Sequence, residues 1–148
     1  MGATATQADG GVPSRDLGVR MGFQSGQVVM EVGWDEDTDD DVRDAVETAT
    51  GTPMVDEDND EAVDAVLLWF RSFDGDLADS LMDTLTGLAS GGAVWLLTPK
   101  PGRDGAVAPP DIREAAPTAG LTSTTSFAAS KDWHATRLVA PKGIGKKR

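Results

Sequence analysis

A chain of 148 residues, 39% hydrophobic and 5% aromatic, has the material for one domain with a modest core between polar ends. Twenty-five acidic residues against thirteen basic ones give a formal net charge of -12, and a surface of that sign repels phosphate backbones, which argues against nucleic acid as a partner. The absence of cysteine removes disulfides, thiolate metal sites and thiol catalysis together.

Residues 1–13 are small, polar and Gly-rich, and are expected to be a disordered tail. They lack the basic start and apolar core of a signal peptide, and no apolar run approaches the roughly 20 residues of a membrane helix, so the expectation is a cytoplasmic protein without membrane contact. A single domain is expected over residues 14–142, followed by a basic tail at 143–148. After a short helical turn over 14–19, QVVMEVG at 27–33 reads as a buried first strand. Val42, Ala45, Val46 and Ala49 then recur at the spacing of one helix face, with Asp39, Asp40 and Asp41 at its positive end and Gly51 just past its close.

Pro53, Met54 and Val55 suggest a short second strand, and a loop or second helix follows over 56–64. The run AVLLWF at 65–70 is continuous and apolar, as expected for a central strand covered on both faces. Asp74 or Asp76 then caps a helix whose Leu77, Leu81, Leu85 and Leu88, with Ala78 and Met82, form one stripe. A Gly-Gly corner at 91–92 leads to the next strand over 93–98, which Pro99, Pro101 and Gly102 end. Pro110 suits the first turn of another helix, which Pro117 shortens or kinks. Segments 122–128 and 133–140 form two strands joined by Ser130, Lys131 and Asp132, an antiparallel pair closing a parallel sheet. The fold class is therefore α/β: a Rossmann-like three-layer sandwich, mostly parallel, with a C-terminal antiparallel strand pair.

The segments LGVRMGFQSGQVVMEVGWDEDTDDDVRDAV, VDAVLLWFR, GGAVWLLTPKPGRDG and APTAGLTSTTSFAASKDWHATRLVAPK, spread over residues 17–142, resemble the actinobacterial domain-of-unknown-function family 3052. The Gly-Trp-Asp-Glu-Asp run after the first strand, the Trp-x-Leu-Thr-Pro-Lys strand end and the Lys-Asp-Trp before the last strand carry the resemblance. It brings no established activity with it. More distantly, the order helix, Gly-Gly corner, strand, helix, β-hairpin is similar to the C-terminal half of class I S-adenosylmethionine-dependent methyltransferases. That similarity implies a cofactor lying across a Gly-rich turn after the first strand, with an acid at the end of the second strand on its ribose. The corresponding positions here are Gly33-Trp34-Asp35 and Asp56 or Glu57. Only one glycine of the Gly-x-Gly-x-Gly pattern is present, and Trp34 with several carboxylates stands where backbone must approach the cofactor. The chain is also one strand short of the full sheet. A relative that kept the fold and lost the chemistry, with no cofactor, is the expectation.

The acidic run Asp35, Glu36, Asp37, Asp39, Asp40, Asp41 alternates like a calcium loop, but counting from Asp35 puts Asp40 where the turn needs glycine and Val46 where the bidentate glutamate belongs. Helix capping and dipole compensation on a solvated face account for it. His134 is the only histidine, so a triad or imidazole cluster lacks partners; strand alternation points it to solvent if Trp133 packs inward. Three of the four tryptophans lie in or beside strands and read as core, while Trp34 sits in an acidic loop. Arg71 and Lys100 each follow a parallel strand and so share one carboxyl edge with Trp34 and Asp35; with Arg103 they are expected to neutralise nearby carboxylates as surface ion pairs.

The functional expectation is a non-enzymatic interaction or regulatory module. Its carboxyl edge, with Gly33, Trp34, Asp35, Asp56, Arg71, Lys100 and Trp133, would contact a protein partner or a small anionic ligand. The competing class is a methyltransferase-like domain holding S-adenosylmethionine or another nucleotide-like ligand at the same edge. No residue is assigned a catalytic or metal-binding role.

Overall fold

The computed structural model describes residues 14–140, so the two expected tails lie outside it. The elements in chain order are α1 (Ser14–Arg20), β1 (Val29–Val32), α2 (Asp40–Thr50), β2 (Val63–Trp69), α3 (Leu77–Leu85), β3 (Leu88–Pro99), α4 (Pro109–Thr118), β4 (Thr122–Ala128) and β5 (Trp133–Val139). One five-stranded sheet has the order β1-β2-β3-β5-β4. The first three strands run parallel, β5 is antiparallel to β3, and β4 is antiparallel to β5. Among the described residues no helix is long and apolar enough to cross a membrane.

Alternation along the central strands divides the core into two layers. Ala65, Leu67 and Trp69 of β2, with Trp95 and Leu97 of β3, pack against Leu17 of α1, Met21 just past its end, and Val42, Ala45 and Val46 of α2. Val66 and Leu68, with Val94 and Leu96, pack on the opposite face against Leu77 and Leu81 of α3 and Ile112 and Ala116 of α4. A continuous apolar run thus becomes a strand buried on both sides, which gives the expected three layers. The α2 stripe is buried as its spacing requires, with Val42, Ala45 and Val46 excluded from solvent. Asp39 caps that helix, its Oδ1 accepting from the amides of Asp41 (2.8 Å) and Val42 (3.2 Å). Asp39→Ala should lower stability by about 1 kcal/mol in urea unfolding, and an unchanged midpoint would show the cap to be idle.

Four expectations need correction. The second strand reduces to one bridge, Met30 with Val55, because a single residue of the segment reaches β1. Leu88 belongs to β3 and not to the α3 stripe, since that helix closes at Leu85 and Asp76 caps its start. The Gly-Gly corner is a bulge within β3: pairing with β2 jumps from Val63 opposite Leu88 to Ala65 opposite Ala93. Gly92 is required there, because a Cβ would lie 2.7 Å from the Asp64 carbonyl oxygen. Finally, Pro117 sits inside the last turn of α4, which runs on to Thr118.

Candidate functional site

The carboxyl ends of β1, β2 and β3 lie on one edge of the sheet, and the antiparallel course of β5 brings its first residue, Trp133, to the same edge opposite Pro99. Gly33 follows β1 directly and has φ 83°, which the left-handed turn there requires. Its carbonyl points at Arg71, which stands two residues past the end of β2. The Arg71 side chain therefore folds back across the β1 and β2 ends.

Arg71 is the organising group of this edge, and it is only 4% exposed. Its Nε donates to Asp37 Oδ2 (3.0 Å), and its Nη2 completes a bidentate pair with Asp37 Oδ1. Its Nη1 donates to the carbonyl of Gly33 (2.8 Å), and to the Trp69 carbonyl and Asp74 Oδ2 at 3.3 Å each. Asp74 also accepts from the Arg71 backbone amide at 2.9 Å. Burial works against the guanidinium charge, but the bonds to Asp37 and Asp74 more than offset it, so the arginine is held above its ordinary value. Hydrogen bonding from Arg71 holds the Asp37 carboxyl below the usual aspartate value against some desolvation.

Trp133 supports the pair from beneath. Its Nε1 donates to the Asp37 carbonyl (3.1 Å), and the Arg71 guanidinium carbon lies 5.4 Å from the centroid of its ring. Trp133 meets Trp69 edge to face at 4.8 Å. Trp69 in turn donates through Nε1 to Glu31 Oε2 (2.9 Å), which Arg43 of α2 engages in a fork at 2.7 and 2.9 Å. The amide of Gly33 donates to Glu57 Oε2 (3.1 Å). Both polar groups of the first turn are thus taken by the protein itself.

The structure brings Gly33, Arg71 and Trp133 into one network and leaves the other candidates around it. Trp34 is 55% exposed on the rim, and Phe73, in the turn after β2, is 66% exposed. Asp35 and Asp56 are exposed, each with a carboxylate oxygen accepting from a nearby amide, Glu36 at 2.7 Å and Asp58 at 2.9 Å. Lys100 is half-buried beside His134 and stands apart from the Arg71 network. Two expectations are overturned here. Arg71 is a buried cation rather than a surface one, because its strand ends beneath the acidic loop. His134 does not point to solvent: Trp133 does pack inward, but the opposite face of β5 is partly covered, and His134 lines a cavity there. Burial, then the Lys100 charge, holds the His134 imidazole below its ordinary value, so it is neutral at pH 7. Arg103 does form a surface pair, with Asp132 at 3.1 Å.

Asp37 and Phe73 are not among the site residues the sequence singles out, and Glu57 enters there only as the alternative to Asp56. Asp37 is one of six carboxylates between residues 35 and 41, and nothing in its spacing separates it from them. The available signal was the lone arginine past a buried strand, which needs a carboxylate wherever the chain can supply one. Among the described residues no group of three or more His, Asp or Glu side chains converges as a metal ion requires.

A family model described as protein of unknown function (DUF3052) matches residues 18–142. The chain is 49% identical over 147 residues to the uncharacterized protein Rv2239c of Mycobacterium tuberculosis, covering 99% of this chain and 90% of that one. Among solved structures it is similar to a SAM-dependent methyltransferase from Aquifex aeolicus (TM-score 0.55, 12% identity, 84% of this chain and 88% of that one). It is also similar to the O-methyltransferase NcsB1 from neocarzinostatin biosynthesis, in complex with S-adenosyl-L-homocysteine and 1,4-dihydroxy-2-naphthoic acid (TM-score 0.57, 15% identity, 78% of this chain). The chain spans about half of NcsB1, 49% of its length. At these identities the likeness is one of fold: a Rossmann-like α/β sheet of the kind found in S-adenosylmethionine-dependent methyltransferases.

Proposed function

The chain belongs to the DUF3052 family, and from the state of its sheet edge we propose that it is a non-enzymatic binding module that docks a basic protein segment with an apolar anchor. The observation that carries this reading is the Arg71 network. The turn after β1, on which a cofactor rests in methyltransferases, has its amide bonded to Glu57 and its carbonyl bonded to Arg71. A nucleotide-like ligand would have to displace charge-assisted bonds to enter. Two large aromatic rings are exposed in the turns that follow β1 and β2, Trp34 and Phe73, and the exposed carboxylates Asp35 and Glu36 follow Trp34 directly in the chain. Aromatic anchors inside a charged rim are the pattern of a protein interface, and the acid excess selects a basic partner.

The test is to purify a protein captured by the wild-type chain and measure its affinity by calorimetry. Trp34→Ala and Phe73→Ala should each weaken binding about 30-fold, an effect of about 2 kcal/mol, while leaving stability within about 0.5 kcal/mol. The affinity should also fall as salt is raised. An affinity that neither substitution changes would overturn the reading. A second reading, S-adenosylmethionine or another nucleotide-like ligand at the same edge, draws support from the likeness to NcsB1, whose structure contains S-adenosyl-L-homocysteine. The two are separated by whether the ligand alone stabilises the chain.

A further inference from the structure

On the face opposite the tryptophans, the core changes character toward the carboxyl edge. Along β3 the residues facing α4 run Val94, Leu96, Thr98, and along β5 they run Leu138, Thr136, His134. Thr98 is paired directly opposite His134, and Leu96 opposite Thr136, while Ser126 of β4 faces Thr136 from the other side. Directly opposed residues of antiparallel strands share a face, so these hydroxyls and the imidazole form one polar floor. Over it lies a cavity of about 280 Å³ walled by Pro99, Pro101, Val107 and Ile112.

Two hydroxyls of the floor are buried without a partner, while His134 is half-buried and Ser126 exposed. Thr98 is 2% and Thr136 5% exposed, and neither hydroxyl has a hydrogen-bond partner among the described residues. An unbonded buried hydroxyl destabilises the fold, and valine would fill the same volume without that cost. Two such threonines beside one cavity indicate that something polar meets them there. We propose that this cavity binds a small neutral molecule with an apolar body and one carbonyl or hydroxyl oxygen, which Thr98, Thr136 and His134 recognise.

The size and charge follow from the walls. At protein-like packing density the volume holds about a dozen non-hydrogen atoms, the small end of ligand pockets. No carboxylate lines it, so a cation would lack a partner there, and against the single charge of Lys100 beside His134 the net charge of -12 disfavours an anion. His134 is neutral at pH 7 and offers one donor and one acceptor.

Because His134 is the only histidine of the 148 residues, its imidazole resonances in the tag-free chain report on this cavity. The probes are acetophenone, its near-isostere without an oxygen, ethylbenzene, and its anionic analogue, benzoate. Acetophenone should shift the His134 signals saturably and bind roughly tenfold more tightly than either of the others. Thr136→Val, and independently Thr98→Val, should bring acetophenone down to the affinity of ethylbenzene, and Ile112→Trp should remove the shifts by filling the space. The proposal is overturned if no probe gives a saturable shift, if benzoate binds more tightly than acetophenone, or if both valine variants keep the wild-type affinity for acetophenone.

Discussion

Replacing Asp37 and Asp74 together by alanine should lower the unfolding free energy by about 3–5 kcal/mol, more than replacing Arg71 by methionine. The asymmetry comes from where the charges sit. The Arg71 side chain is buried, whereas both carboxylates reach water. Removing the carboxylates leaves a desolvated cation with only the Gly33 and Trp69 carbonyls as acceptors. Arg71→Met instead leaves two carboxylates that hydrate readily, and its own chain still covers Trp133, so a loss of about 2–3 kcal/mol is expected. Urea unfolding of the three proteins decides the matter, and equal losses would mean that the network is not organised around a buried cation.

The same pair gives the protein an acid limb. The Asp37 carboxyl is held below its usual value in the folded state by Arg71, so the folded protein binds fewer protons there than the unfolded chain. That contribution is fully present above the unfolded aspartate value of about 3.9 and is lost as pH falls through the lower folded value. Melting temperatures between about pH 5 and pH 2 should therefore fall less steeply for Asp37→Asn than for the wild type. A parallel fall would place the coupling elsewhere.

Gly33→Ala is the second large effect, with an expected loss of about 3 kcal/mol. Two costs combine. The residue has φ 83°, where a Cβ costs about 1–2 kcal/mol. The added carbon would also lie 2.4 Å from the Trp69 carbonyl oxygen, backbone that cannot rotate away. Relief requires the β1 end to move off β2, which strains the Arg71 bond to the same turn. Gly22, with φ 85° and nothing near its would-be Cβ, is the control: its alanine variant should lose only the conformational cost. Equal losses for the two variants in calorimetric melts would show that the close approach at Gly33 adds nothing to the conformational cost.

Much of this architecture is legible in the residues. The α2 helix shows itself because capping acids, a 3.6-residue stripe and a terminal glycine agree. β2 does so because a strand buried on both faces must be continuously apolar. The chain is harder to read where geometry depends on partners distant in sequence. Leu88 continues the α3 spacing, and only its pairing with Val63 reveals that it begins a strand. The glycine pair at 91–92 looks like a corner because a bulge uses the same residue. The candidate site divides the same way. Strand ends place Gly33, Arg71 and Trp133 on one edge, as parallel order dictates, but which of many carboxylates Arg71 takes is a tertiary choice. His134 was misplaced because alternation gives the face and not what covers it; α4 and the Pro99 loop supply the cover.

The proposed function requires the carboxyl edge of this Rossmann-like sheet to be closed by its own side chains and free to meet a protein partner. The most direct test is the melting temperature of the 148-residue chain with and without 1 mM S-adenosylmethionine or S-adenosyl-L-homocysteine. A ligand present at 100 times its Kd would add about 2.7 kcal/mol, several degrees for a domain of this size. A closed edge should leave the melting temperature unchanged with both compounds. A rise of several degrees that Asp56→Ala abolishes would contradict it.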